Sequence, residues 1–240
     1  MTTLGSDPNV VVCYPETDRP EDIEAARKVY FSLQEDDSNW TWNVSWWSDP
    51  VLLGHYPEEG LERYEKYLPK ITEEDMRLIS EPIDIYGQNI YNGRAFRMGA
   101  DGNPEEVGRV PGAGKTAVNW PVTPECLYWG PKFLYERYKK PIYITENGMA
   151  CHDIVSLDQR VHDPNRIDFL ARYLHELKRA AEEIDLRGYF QWSLMDNFEW
   201  EKGYAERFGI VYVDFETQER ILKDSAYWYR DVIQTNGRDL

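Results

Sequence analysis

Cysteine and histidine are scarce in this chain of 240 residues, with three and four copies. Cys13, Cys126 and Cys151 are odd in number and show no Cys-x-x-Cys spacing. That argues against a disulfide framework and a thiolate zinc site, and it suits a reducing compartment, so a cytoplasmic location is expected. His55, His152, His162 and His175 show no His-x-x-x-His pattern, so no metal is expected. Positive charge is also short. The 27 Lys and Arg stand against 43 Asp and Glu, a formal net charge of −16. Such a balance opposes binding to nucleic acid or to an anionic membrane. No apolar run reaches the about 18 residues of a spanning helix. The start, Met1 to Pro8, has neither a basic nor an apolar leader region, so secretion is not expected.

Four strand-plus-helix units are legible along the chain. Val10 to Cys13 is a short apolar run suited to a buried parallel strand. Pro20 opens a helix with Ile23, Ala26, Tyr30 and Leu33 on one face. A polar and aromatic connection spans 34–60. It contains two glycosylation sequons, Asn39-Trp40-Thr41 and Asn43-Val44-Ser45, whose use is not expected without a secretory leader. Thr72 starts an acidic-ended helix. Ile83 to Asn89 is the second strand. Residues 92–120, rich in Gly, Pro, Asn and Arg, read as a long irregular loop. Thr123 and Pro124 suit an N-cap and first turn, with a helix interrupted at Gly130-Pro131. Ile142 to Thr145 is the third strand. Asp163-Pro164 opens an amphipathic helix with Ile167, Leu170, Leu174, Leu177, Ala181 and Ile184 on one stripe. Gly188 to Ser193 is the fourth strand. A short hairpin at 209–222 and a closing helix holding Trp228 and Ile233 follow. The alternation implies an α/β fold with four parallel strands in chain order.

Two segments carry chemistry. Pro141-Ile142-Tyr143-Ile144-Thr145-Glu146-Asn147-Gly148 delivers a carboxylate to the tip of a buried strand. A carboxylate there suits catalysis in a barrel, and equally a salt-bridged strand end. The second segment, Trp192-Ser193-Leu194-Met195-Asp196-Asn197-Phe198-Glu199-Trp200, leaves the fourth strand as an aromatic, acidic loop, and Phe208-Gly209 follows. Val110-Pro111-Gly112-Ala113-Gly114-Lys115-Thr116 invites a phosphate-loop reading. Arg109, however, stands where that motif needs its first Gly, so a surface loop is expected and no cofactor is implied.

Together these segments resemble glycoside hydrolase family 1, the retaining β-glucosidase family. Ile144-Thr145-Glu146-Asn147-Gly148 matches its nucleophile motif, and 192–200 matches its sugar-binding strand end. Asp49-Pro50, Gly54-His55-Tyr56-Pro57, Asn89-Ile90-Tyr91 and Lys223-Asp224-Ser225-Ala226 extend the resemblance over nearly the whole chain. The resemblance implies a (β/α)8 TIM barrel and hydrolysis of β-D-glucosides or oligosaccharides with retention. It implies that Glu146 is the nucleophile, Tyr91 the donor to it, and Asn89 a neighbour in the same subsite. It further implies that Glu199 grips two sugar hydroxyls, Trp192 is the platform, Trp200 donates its indole N–H, and Phe208 lines the pocket. An acid at 199 would repel a 6-phosphate, which favours a plain sugar. The aromatic content, 14% with nine Trp, suits both a core and sugar stacking.

The chain also departs from the family. Members are barrels about twice this length, with the acid/base Glu in an Asn-Glu-Pro on the fourth of eight strands. No Asn-Glu-Pro occurs here. The expectation is that residues 1–240 form the C-terminal half of one catalytic barrel domain, with about four parallel strands plus a short β-hairpin. Three outcomes stay open: a slow hydrolase, a non-catalytic sugar-binding remnant, and one half of a split glycosidase. Its partner would be an N-terminal half-barrel, or a second copy joined through open sheet edges.

Overall fold

The structure is a computed structural model that describes residues 11–33 and 43–240. The sequon at Asn39 lies outside the described residues, as does Val10. The element order is β1 (Val12–Pro15), α1 (Pro20–Phe31), α2 (Val44–Leu52), α3 (Glu58–Tyr64), α4 (Glu73–Ile79), β2 (Tyr86–Asn89), β3 (Gly93–Met98), β4 (Pro104–Val107), α5 (Cys126–Tyr138), β5 (Ile142–Asn147), α6 (Pro164–Ala181), β6 (Leu186–Gln191), β7 (Val211–Val213), β8 (Arg220–Leu222) and α7 (Asp224–Gln234). The fold is α/β with parallel strands, as the alternation implies.

The strand pairing differs from a simple four-stranded ladder. Strands β2, β5 and β6 lie side by side in chain order, all parallel. Strand β1 pairs instead with β3, in parallel, and β4 closes that second sheet as an antiparallel edge. Only Ile90, Tyr91 and Asn92 separate β2 from β3. The segment 86–98 therefore pairs with β5 through its first half and with β1 through its second. Residues 93–107, expected as irregular loop, are this strand pair. Composition hides it because Gly93 reads as a breaker. Gly93 is instead what lets β1 approach: a Cβ there would lie 2.8 Å from both the Val12 carbonyl and the Tyr14 ring.

The helices follow their patterns with four corrections. α1 ends at Phe31, so Leu33 lies beyond it and packs with Trp46 and Tyr64 instead. α5 begins at Cys126 and runs through Gly130-Pro131 without a break. Thr123 does not cap it. Its hydroxyl accepts from Gly93 N–H at 2.8 Å, and its own N–H donates to the Tyr173 hydroxyl. On α6 the buried stripe is Arg166, Phe169, Leu170, Tyr173, Leu174, Leu177 and Ala180, so Ala181 turns outward. On α7 Trp228 packs on the core, but Ile233 is exposed. Helix α2 and the start of α3 stand in the stretch that reads as a connection over 34–60. Thr72 and Asp75 form a reciprocal capping box, and Asn43 caps α2 by accepting from Trp46 N–H at 2.7 Å. Asn43 is thus buried at a helix start, a poor glycan acceptor.

The main hydrophobic core among the described residues lies between these strands and helices. Val12, Tyr86, Ile142 and Ile144 from the strands meet Leu127, Phe133 and Leu134 of α5 and Leu170, Tyr173 and Leu177 of α6. This packing presents the strand ends 89–91, 146–148 and 191–193 together.

Candidate active site

Strand alternation alone would turn Glu146 inward. Ile142 and Ile144 are buried, and Glu146 shares their parity. The ladder breaks here: β5 slips register against β6 between Ile144 and Asn147, and β2 slips against β5 between Gln88 and Asn89. After the slip Asn147 is the buried residue and Glu146 is half-buried. Such irregularities re-aim side chains at strand ends. Asn147 holds the new register. Its amide donates to the Ile90 carbonyl at 2.8 Å, and its Oδ1 accepts from the Tyr189 hydroxyl at 2.8 Å.

Glu146 is surrounded by donors. The Tyr91 hydroxyl donates to its Oε2 at 2.7 Å. Asn89, paired with Glu146 in the ladder, also hydrogen-bonds its carboxylate and accepts from the Thr145 hydroxyl at 2.7 Å. Burial lifts the Glu146 carboxyl above the usual range, and the bonds from Tyr91 and Asn89 oppose that lift. Burial and the adjacent Glu146 charge raise the Tyr91 phenol strongly, so it stays a donor.

Glu199 completes the acidic pair. Burial raises its carboxyl, a bond from Trp192 lowers it, and the charges of Glu146 and Glu206 raise it further. Its Oε2 is buried with no hydrogen-bond partner among the described residues. A buried carboxylate oxygen left open in this way is an acceptor poised for a ligand donor. Trp192 is half-buried, and Phe208 is buried against Tyr91, with ring centroids 6.3 Å apart. Gly148 makes this closeness feasible. A Cβ there would lie 1.9 Å from the Trp192 carbonyl oxygen.

The structure thus brings together Glu146, Asn89, Tyr91, Trp192, Glu199 and Phe208. Trp200 stands apart: it is 79% exposed, and among the described residues no ring or side-chain hydrogen bond ties it to the group. Trp120 joins the group unforeseen. Its ring lies 5.1 Å from Tyr91 and 5.9 Å from Phe208. Nothing in its Gly- and Pro-rich neighbourhood marks it, apart from a preceding Asn119 that takes the left-handed conformation. The 110–116 segment is a largely exposed loop, shaped in part by Arg109 donating to the Gly114 carbonyl at 2.9 Å. No group of three or more His, Cys, Asp or Glu residues able to hold a metal occurs among the described residues. No helix among them is long and apolar enough to cross a membrane.

The chain matches known proteins over nearly its whole length. The family model described as "Glycosyl hydrolase family 1" matches residues 4–238. The chain is similar to beta-glucosidase A of Thermotoga maritima, 45% identical over 226 residues, covering 93% of this chain and 48% of that protein. It is similar to beta-glucosidase A of Acetivibrio thermocellus, 39% identical over 244 residues, covering 98% of this chain and 52% of that protein. Among solved structures, the Thermotoga maritima beta-glucosidase in complex with glucoimidazole superposes with a TM-score of 0.77 at 42% identity, covering 98% of this chain and 50% of that one. The chain therefore spans about half the length of the relatives it matches.

Proposed function

Because the chain belongs to glycosyl hydrolase family 1, we propose that it takes part in the hydrolysis of β-D-glucosides with retention, with Glu146 as the nucleophile. The observation that carries this reading is the Tyr91 hydroxyl on Glu146 at 2.7 Å, beside a second half-buried carboxylate, Glu199, with a buried open oxygen. A Glu146 oxygen attacks the anomeric carbon as the bond to the leaving oxygen breaks and its electron pair departs with the aglycone. Water then attacks the same carbon and loses a proton, which balances the proton the departed oxygen takes up, as Glu146 leaves as carboxylate and the sugar is freed. Tyr91 and Asn89 hold the nucleophile. Glu199 accepts from two sugar hydroxyls, Trp192 underlies the ring, and Phe208 lines the pocket. Trp200 keeps its proposed contact with the sugar on the strength of the motif alone.

A retaining site needs its acid/base carboxyl about 5–5.5 Å from the nucleophile. The family's Asn-Glu-Pro is absent from these 240 residues. The described strands are accordingly proposed as the C-terminal half of a (β/α)8 barrel domain, with the acid supplied by another segment or a separate half-barrel chain. The three cysteines are free, which suits a reducing compartment such as the cytoplasm.

A 2-deoxy-2-fluoro glucoside with a good leaving group tests the reading, because its covalent intermediate forms without acid assistance. The adduct should map to Glu146. An adduct on Glu199, or none at all, overturns the assignment. With an activated aryl glucoside, turnover should be low by about 10²–10⁴-fold and rise when azide is added.

A further inference from the structure

Behind the site lies a buried cluster of six ionised side chains that the proposed chemistry does not use. Asp153, Asp163, Asp196, Arg166 and Lys223 are almost wholly buried, and Arg207 is largely so. The Lys223 ammonium bridges Asp153 Oδ2 at 2.6 Å and Asp196 Oδ1 at 2.8 Å. Arg166 pairs with Asp153 at 2.7 Å and with Asp163, and Arg207 pairs with Asp196 Oδ2 at 2.6 Å. Three acids face three bases, so the charges cancel. Replacing buried ion pairs by apolar residues is often neutral or stabilising, so stability alone is a weak reason for such a cluster.

Its geometry supplies a better reason. Asp196 lies on the loop between Trp192 and Glu199, and it collects the other end of that loop. It accepts from Gly209 N–H at 3.0 Å and from Val213 N–H at 3.4 Å, besides Arg207 and Lys223. Backbone bonds from Ser193 N–H to the Phe208 carbonyl and from Ile210 N–H to the Ser193 carbonyl run alongside. Gly209 sits so close that a Cβ there would lie 2.2 Å from Asp196 N. Lys223 in turn precedes α7 and anchors Asp196 to Asp153 and, through Arg166, to α6. The loop that carries Trp192 and Glu199 is thus tied to two helices through one buried carboxylate.

We propose that Lys223, acting through Asp196, is a positioning residue that holds the Trp192–Glu199 loop in its site-forming conformation. This deepens the proposed function, and rests on it for the role of Glu199 as the sugar-gripping carboxylate.

The test reads Glu199 itself in the full chain. Its side-chain carboxyl carbon is followed by NMR through a pH titration, with glutamate labelled at that carbon and the signal assigned by its loss in E199Q. The parent, K223M, K223R and D196N are compared, each with a thermal melt. Glu199 should titrate above the ordinary value of about 4.3 in the parent. Its neighbours there are Trp192, Glu146 and Glu206. The two ways Lys223 could act on it have opposite signs. Deleting a cation as a mere charge raises a carboxyl's pKa, whereas releasing the loop into water removes the burial that lifts it. K223M should therefore lower the Glu199 value by about half a pH unit or more, and K223R should restore it; D196N, whose lost negative charge also lowers that value, is read by its melt alone. An unchanged or raised value in folded K223M overturns the proposal. Should neither variant fold, amide hydrogen exchange on the parent decides. Gly209 and Val213 should exchange as slowly as the centre of α6, and exchange as fast as the 154–160 loop overturns the proposal. A chain in which Glu199 responds as expected while Glu146 takes no fluoroglucoside label retains the positioning role and loses the hydrolase reading.

Discussion

Tyr91 follows the end of β2 and Glu146 lies on β5, and each bears on the proton of the other. The phenol donates to Glu146 Oε2 at 2.7 Å. Burial and the carboxylate hold the phenol protonated, and the phenol offsets part of the burial that favours a protonated carboxyl. The pair therefore works against its own surroundings to keep Glu146 ionised.

Removing the phenol should expose that opposition. A hydrogen bond to a charged group contributes about 1.5–3 kcal/mol. Tyr91→Phe should then slow formation of the fluoroglucosyl adduct by about ten- to a hundredfold. The lost donor also raises the Glu146 carboxyl further, so the acidic limb of the labelling rate against pH should move to higher pH. A limb that stays in place or moves down would show that Tyr91 does not govern the ionisation of Glu146.

The same logic makes Glu146 a source of instability at neutral pH. Its folded carboxyl is raised above the ordinary value. The protonated form is thus favoured in the fold. Its contribution is fully present below the unfolded value of about 4.3 and is lost as pH rises through the folded value. Glu146→Gln keeps an acceptor for Tyr91 without the charge. It should raise the urea midpoint at pH 7, and the gain should shrink towards zero as the pH falls below about 4. Equal midpoints at pH 7 would mean that burial of the charge is relieved in some other way.

Gly148 sets how near the end of β5 comes to Trp192. A Cβ would meet the Trp192 carbonyl oxygen at 1.9 Å, and backbone cannot rotate away as a side chain can. Gly148→Ala should cost about 1–3 kcal/mol by urea titration. Gly108 faces open space, so Gly108→Ala should stay within about 0.5 kcal/mol. Equal costs at the two positions would contradict the close approach.

Strand β6 pairs only with β5 among the described residues. Phe190, Leu194 and Phe198, on and just after it, are 57%, 64% and 54% exposed. An open edge beside apolar side chains favours association. The isolated chain should dimerise, aggregate or bind a dye for apolar surface, despite its net charge of −16. Sizing chromatography with dye titration checks this. A monodisperse chain without dye binding and with a sharp melt would show that the edge is covered.

Local features are legible in the sequence because they depend on near neighbours. The capping box at Thr72 and Asp75, the stripe of α6 from Leu170 to Leu177, the β7–β8 hairpin and the apolar start of β5 all follow from spacing and residue type. The motif around Glu146 likewise marks the strand tip as a candidate site, since a carboxylate after Ile-Tyr-Ile-Thr has little place in a core. Tertiary structure decided the rest. Alternation would have buried Glu146 with Ile144, and only a register slip, imposed by Asn147 bonding to Ile90 and Tyr189, turns it towards Tyr91. The pairing of β1 with β3 depends on a glycine whose meaning comes from the strand it faces. Trp120 reaches Tyr91 across 29 positions of chain, which no periodicity encodes. The cluster around Lys223 joins residues from position 153 to position 223, each an ordinary charge in its own segment. Such contacts arise because folding brings distant side chains into one low-dielectric interior, where every buried charge must find its partner.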